Sequence, residues 1–136
     1  MSYGVSSALQ AAVYQHLAAD SALGALVGAA IYDALPSGNL PSTYVTLGPE
    51  TVWERSDKTG PGALHMLTVS VVTDTAGFQA AKDVAMAISD ALEDADLNLA
   101  RGSLVYLNFD RAVAKLEGTG TQRRIDLRFR ARVQDV

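Results

Sequence analysis

The chain of 136 residues contains no cysteine and no long uninterrupted apolar run. Without cysteine it can form neither a disulfide framework nor a thiolate metal site, and it has no thiol nucleophile. Its longest apolar stretches are rich in alanine and broken by glycine or aspartate, whereas a membrane-spanning helix needs roughly 20 apolar residues. No basic segment precedes an apolar stretch at the N-terminus, so no secretory signal is expected.

Motifs of catalytic and metal sites are also lacking. The sequence has no Gly-x-Ser-x-Gly nucleophile elbow, no His-Glu-x-x-His helix, no paired zinc spacing and no calcium loop. Its two histidines, His16 and His65, have no carboxylate at a spacing typical of a site. We therefore predict no enzymatic activity, no metal and no cofactor. A small α+β enzyme or ligand-binding module is the alternative, and it would require a pocket with convergent polar groups.

What the chain does contain is one strongly patterned segment, from Ile125 to Val133. Its apolar residues occupy every second position and its charged residues occupy the positions between them, which predicts a strand with one buried face. Hydrophobic residues make up 49% of the chain and charged residues 19%, as in ordinary globular proteins. A chain of this length and composition is expected to form one domain, residues 1–136.

The remaining pattern predicts helices that cover this strand and further strands that pair with it. Helical spacing occurs over residues 5–19 and 78–95, with a short helical turn at 22–27 that Asp20 could cap and a second cap at Thr73, Asp74 or Thr75. Strands are predicted at 44–47, 64–73, 104–113 and 125–133, with brief extended pieces at 31–32 and 51–53. This order predicts an α+β fold with an antiparallel or mixed sheet of about four strands and two helices on one face. The predicted core consists of Leu67, Val69, Val71, Val105, Leu107, Phe109, Leu127 and Phe129 on the sheet, facing Phe78, Ile88, Leu92, Leu9 and Val13.

Charge is separated along the chain, although the net charge is only −4. Arginines crowd the C-terminal segment and carboxylates crowd the second long helix, which suits a protein whose copies meet basic face to acidic face. Three alternatives stay open: both segments are simply solvated, the acidic residues hold a divalent cation weakly, or the arginines contact nucleic acid. The two sets are Arg123, Arg124, Arg128, Arg130 and Arg132, and Asp83, Asp90, Glu93, Asp94 and Asp96.

Several segments, taken in order, resemble the family of tail-completion or tail-terminator proteins of tailed phages, prophages and gene transfer agents. The resemblance covers nearly the whole chain. The residues that carry it are Pro41-Ser42-Thr43-Tyr44-Val45-Thr46-Leu47-Gly48, His65 followed by Leu67-Thr68-Val69-Ser70-Val71, Gly77-Phe78, Gly102-Ser103-Leu104-Val105 and Leu127-Arg128-Phe129-Arg130-Ala131-Arg132.

The resemblance implies a structural virion protein of the tail neck, assembled in the host cytoplasm. Such a subunit would form a hexameric ring that caps the tail tube, ends tube polymerisation and meets the head connector, with DNA only passing through the channel. A head-tail adaptor or stopper is the alternative within the same particle. The resemblance leaves open which face meets the tube and whether the tail contracts.

Three surfaces are expected to make the contacts of such a subunit. The polar segment 54–62 reads as a long hairpin loop that reaches the tube or a neighbouring subunit. The arginine row is expected at a subunit interface or in the channel, and the acidic helix face is its reciprocal patch. The loop residues are Trp53, Glu54, Arg55, Asp57 and Lys58; the other two sets are Arg123, Arg124, Arg128, Arg130 and Arg132, and Asp83, Asp90 and Glu93.

Overall fold

A computed structural model describes residues 3–56, 58 and 60–135. Its helices are α1 (Ser6–Ala19), α2 (Ser21–Val27) and α3 (Gln79–Leu92). Its strands are β1 (Ile31–Tyr32), β2 (Thr43–Glu54), β3 (Gly62–Thr73), β4 (Ser103–Glu117) and β5 (Gln122–Gln134). They form one mixed sheet in the order β1-β2-β3-β5-β4, in which β1 runs parallel to β2 and the other neighbours pair antiparallel.

The α+β class is confirmed, but the predicted number of elements is wrong. The described residues form five strands and three helices, where about four and two were expected. The two additional elements are the short segments that the sequence marked as a helical turn and an extended piece. The side chain of Asp20 caps α2 by accepting a hydrogen bond from the Leu23 amide at 2.9 Å, and Ile31 pairs with Val45. Helix α3, by contrast, begins without a side-chain cap, so the cap predicted at residues 73–75 is wrong.

Strand β5 has the two faces that its alternation predicts. Ile125, Leu127, Phe129, Ala131 and Val133 are all buried and belong to the main core. The strand lies between β3 and β4, so its backbone groups are paired on both sides. The face that carries the arginines is the opposite one, which we call the outer face of the sheet.

The helices contribute to one core on the inner face of the sheet. Helix α1 buries Leu9, Val13 and Leu17 there, and α3 buries Ile88 and Leu92. Each such side chain contributes about 1.5–3 kcal/mol when it leaves water. The imidazole Nε2 of His16 lies 2.8 Å from the carbonyl oxygen of Ala91, so this histidine ties α1 to α3 and acts structurally, as expected. No helix among the described residues is long and apolar enough to cross a membrane.

Strand β4 departs from the predicted core. Leu107 is buried, but Val105 is 53% exposed and Phe109 is 44% exposed, so the prediction that both lie in the core is wrong. Register shifts occur between Leu104 and Tyr106 and between Phe109 and Arg111. A bulge of this kind inserts one extra residue and breaks strict alternation. In addition, β4 is an edge strand, and it continues to Glu117, beyond the predicted end.

Strand β2 is longer than its predicted part. Gly48 and Pro49 were expected to end the strand at 44–47, with residues 51–53 either continuing or re-entering the sheet. Strand β2 continues to Glu54 through a register shift between Leu47 and Glu50. Proline cannot donate a ladder hydrogen bond and is tolerated at such an irregularity. The bulge places the side chain of Glu50 on the inner face, where it meets α1.

Candidate assembly surfaces

The outer face of the sheet is strongly basic. Residues of β5 and β4 that are opposite one another in register bring their cations together there, because directly paired residues share one face of a sheet. Arg111 is paired with Arg128 and Lys115 with Arg124. The cations of this face are Arg111, Lys115, Arg124, Arg128, Arg130 and Arg132, and the carboxylates among them are Asp110, Glu117 and Asp126.

Asp110 neutralises part of the predicted arginine row. One carboxylate oxygen lies 3.4 Å from Nε of Arg128 and the other lies 3.3 Å from a terminal nitrogen of Arg130. Asp110 lies on the outer face, as alternation from Phe109 predicts, and the bulge between Phe109 and Arg111 brings Arg111 to the same face, opposite Arg128. The guanidinium groups stay 43% and 49% exposed, and exposed pairs contribute about 0–1 kcal/mol each. Both arginines therefore remain available to a partner.

Asp126 organises a second cluster on the same face. It accepts hydrogen bonds from Ser70 Oγ at 2.6 Å and from Arg124 Nε at 2.8 Å, and Lys115 lies 3.5 Å away. Burial alone raises the pKa of Asp126, but the hydrogen bonds from Ser70 and Arg124 outweigh it and leave the pKa below its usual value. Asp126 is thus held as an anion that fixes Arg124 in place.

The structure divides the five predicted arginines between the two faces. Arg132 lies on the outer face and donates to the carbonyl oxygen of Arg55 in the hairpin loop. Arg123 has the opposite parity and lies on the inner side, 5.5 Å from the centre of the Phe78 ring, and it donates to the carbonyl oxygen of Thr75 at 3.3 Å. Arg123 therefore holds the start of α3 and does not belong to the outer row.

The predicted acidic face lies on α3 and just beyond it. Asp83 accepts a hydrogen bond from Gln79 Nε2 at 2.9 Å, and Asp90 is exposed. Glu93 is the C-terminal cap residue of α3. Its carboxylate accepts a hydrogen bond of 2.6 Å from the backbone amide of Phe109 and so ties the helix end to β4. Among the residues that the structure describes, no group of three or more carboxylates or histidines is arranged to hold a metal ion.

The hairpin between β2 and β3 carries the predicted contact loop. Trp53 is 47% exposed, and the guanidinium carbon of Arg55 lies 6.0 Å from its ring centre. The amide of Arg55 donates to the carbonyl of Gly62 at 2.9 Å and closes the base of the loop. Glu54 and Lys58 are exposed, and Asp57 lies outside the described residues.

The sequence interpretation missed one partly buried polar cluster, in which Tyr3 is exposed and His65 is fully buried. Glu50 accepts hydrogen bonds from Tyr3 Oη and Ser6 Oγ, and its other oxygen lies 3.2 Å from Nδ1 of His65, which is fully buried. Burial raises the pKa of Glu50. The hydrogen bonds from Ser6, Tyr3 and His65 together lower it by more, so the pKa of Glu50 is below its ordinary value of 4.5. These residues are 15 to 47 positions apart in sequence, so no local signal could have grouped them.

Comparison with known proteins identifies the family. The family model described as tail completion protein gp17 matches residues 11–134. This chain belongs to the tail completion protein gp17 family. It is also similar to a chain in a solved structure titled "Virion of native gene transfer agent (GTA) particle", with 60% sequence identity and a TM-score of 0.94. That similarity covers 98% of this chain and 99% of the other. A search of curated proteins finds no match.

These similarities confirm the resemblance that the sequence segments carry. The tail completion chain is a structural protein of a virion or gene transfer agent particle. The surfaces described above are therefore candidate assembly surfaces, and the roles of the individual residues on them stay predictions.

Proposed function

We propose that this tail completion protein forms a ring, of six copies, that caps the tail tube in the neck of the particle. In this position it ends the polymerisation of the tube and joins the tail to the head connector, while DNA passes through the ring. The observation that carries the proposal is the similarity to a gene transfer agent virion chain over nearly the full length of both chains. The proposal assigns the chain no catalysis and no cofactor, and assembly in the host cytoplasm.

The distribution of charge supports a ring. A closed ring of identical subunits uses a heterologous contact, in which two different surfaces of each copy meet. The outer face of the sheet is basic and the exposed side of α3 is acidic. The basic surface and the acidic surface lie on opposite faces of the sheet. Each subunit can therefore present its basic surface to one neighbour and its acidic surface to the other. On this view the row of Arg128, Arg130 and Arg132 lies at or beside the subunit interface, and Arg128→Glu should weaken ring formation.

The hairpin loop is proposed to contact the tube. At its base Trp53, which is paired with Leu64 of β3 near the end of β2, is exposed beside Arg55, and tryptophan and arginine are among the residue types enriched at the centre of interfaces. Truncating a central aromatic anchor typically costs more than about 2 kcal/mol of binding free energy. Trp53→Ala should therefore weaken tube binding by at least about 30-fold.

A tube-growth assay tests the proposal. Purified tail-tube protein would be polymerised with and without this chain, and tube lengths would be measured by electron microscopy. We expect shorter tubes with extra density at one end, and no such effect with Trp53→Ala. Tyr14→Ala is a matched control, since Tyr14 is a similarly exposed aromatic on α1. Unchanged tube lengths, together with binding to connector protein alone, would instead identify an adaptor or stopper.

A further inference from the structure

Strand β4 carries an exposed basic stripe. Arg111, Val113 and Lys115 alternate on the outer face, since they are paired with Arg128, Asp126 and Arg124. Val113 is 39% exposed and the side chain of Lys115 is 49% exposed. Asp126 already lies beside both Lys115 and Arg124, and Asp110 lies beside Arg128. Like charges directly opposite one another destabilise a sheet, so Arg111, opposite Arg128, is the cation of this stripe that most favours an additional anionic partner.

Helix α3 carries a stripe of the reverse charge. Asp83, Met86 and Asp90 follow one another at steps of three and four residues and share one face of the helix. Met86 is 60% exposed, which is unusual for a methionine in the middle of an amphipathic helix. Asp83 is partly buried and Asp90 is exposed on either side of it. Lys82, one turn before Met86, is also exposed, and its Nζ lies 6.0 Å from the centre of the Phe78 ring. Beside it, Asp83, Met86 and Asp90 form an acidic, apolar and acidic stripe, where that of β4 is basic, apolar and basic.

The two stripes also match in length. At a rise of about 1.5 Å per residue, the two aspartates are about 10.5 Å apart along the helix. At about 3.4 Å per residue, Arg111 and Lys115 are about 14 Å apart along the strand. Long arginine and lysine side chains can absorb a difference of about 3 Å, so both ion pairs can form while Val113 meets Met86.

One subunit cannot join its own two stripes, because α3 covers the inner face of the sheet and the β4 stripe lies on the outer face. A second copy can supply the missing partner. We propose that Arg111, Val113 and Lys115 of one subunit dock on Asp83, Met86 and Asp90 of the next copy. This inference rests on the proposed ring and specifies the contact that closes it.

Paired charge reversals test the contact. The first variant is Asp83→Lys with Asp90→Lys, and the second is Arg111→Glu with Lys115→Glu. Native mass spectrometry and analytical ultracentrifugation would give the oligomeric state of each, of their mixture and of the fourfold variant, with and without tail-tube protein. Asp96→Lys is the control for a single charge reversal, since it makes one of these Asp-to-Lys changes at an exposed position outside the stripe. Circular dichroism would confirm that every variant is folded.

We expect wild-type chain and the control to assemble and each double variant to stay monomeric. Their equimolar mixture should reassemble with the two variants alternating, because each altered stripe then meets a stripe of opposite charge. The variant that carries all four substitutions should assemble by itself for the same reason. Double variants that assemble like wild type, or a mixture and a fourfold variant that stay monomeric, would overturn this contact and leave the ring standing. A wild-type chain that stays monomeric even with tube protein would overturn the ring itself, and this contact with it.

Discussion

Replacing Glu50 by glutamine removes the charged acceptor that Tyr3, Ser6 and His65 share. A hydrogen bond to a charged group contributes about 1.5–3 kcal/mol, and three such bonds on one carboxylate do not add fully. The glutamine retains one acceptor oxygen, so we expect the free energy of unfolding to fall by about 2–3 kcal/mol at pH 7. That is a large fraction of the roughly 5–15 kcal/mol by which such domains are stable.

The pH dependence gives this prediction a second, independent readout. The pKa of Glu50 is lowered in the folded state, so its contribution is fully present above the unfolded value of about 4.5 and is lost as the pH falls through the lower folded value. The difference between wild type and Glu50→Gln should therefore be constant near neutral pH and should shrink as the pH falls below about 4.5, until the carboxyl group is neutral in the folded state as well.

Urea denaturation followed by far-ultraviolet circular dichroism at pH 7 and at pH 3.5 would measure both effects. Protein concentrations must be equal, because assembly adds to apparent stability. Glu54→Gln is the matched control on the same strand, since that carboxylate is exposed, and a change within about 0.5 kcal/mol is expected. A loss below about 0.5 kcal/mol for Glu50→Gln, or one that does not shrink at low pH, would refute the role assigned to the cluster.

Two further stability predictions concern the core and one turn. Phe129→Ala should cost about 3–5 kcal/mol, because the ring is fully buried, whereas Phe109→Ala, on the same face, should cost clearly less, because that ring is 44% exposed; equal losses would contradict this difference in burial. Gly102→Ala should cost more than about 2 kcal/mol, because φ is 72° and an added Cβ would lie 2.5 Å from the carbonyl oxygen of Gln134. Gly118→Ala is its control, since its φ is 61° and its Cβ would meet open space. Thermal unfolding measures all four, and a Gly102→Ala loss no greater than that of Gly118→Ala would argue against the close approach.

The sequence could predict those parts of the fold in which apolar residues recur at a regular spacing. The alternation of β5 and the helical spacing of α3 gave both elements and their buried faces, because one side of each meets the core along its whole length. The assignments of Val105 and Phe109 failed, since bulges are not encoded in alternation and an edge strand can leave apolar residues uncovered. The short elements at 21–27 and 31–32 were visible as segments, but their place in the fold depends on tertiary pairing with β2.

The candidate surfaces were predictable only as separated charges. Sequence alone marks the arginines of β5 and the carboxylates of α3, but the sharing of Asp110 by Arg128 and Arg130 depends on the pairing of β4 with β5, and the position of Arg111 opposite Arg128 depends on a bulge. Arg123 was grouped with the row by proximity in sequence, whereas strand parity places it beside Phe78. The stripe of Arg111, Val113 and Lys115 was overlooked, because its face is defined by pairing with β5.

Native mass spectrometry of the wild-type chain, alone and with tail-tube protein, tests the central claim most directly. The account predicts a discrete closed oligomer, with the mass of six subunits, that binds the tube protein as a unit. A chain that stays a strict monomer under both conditions and ignores the tube protein would contradict it.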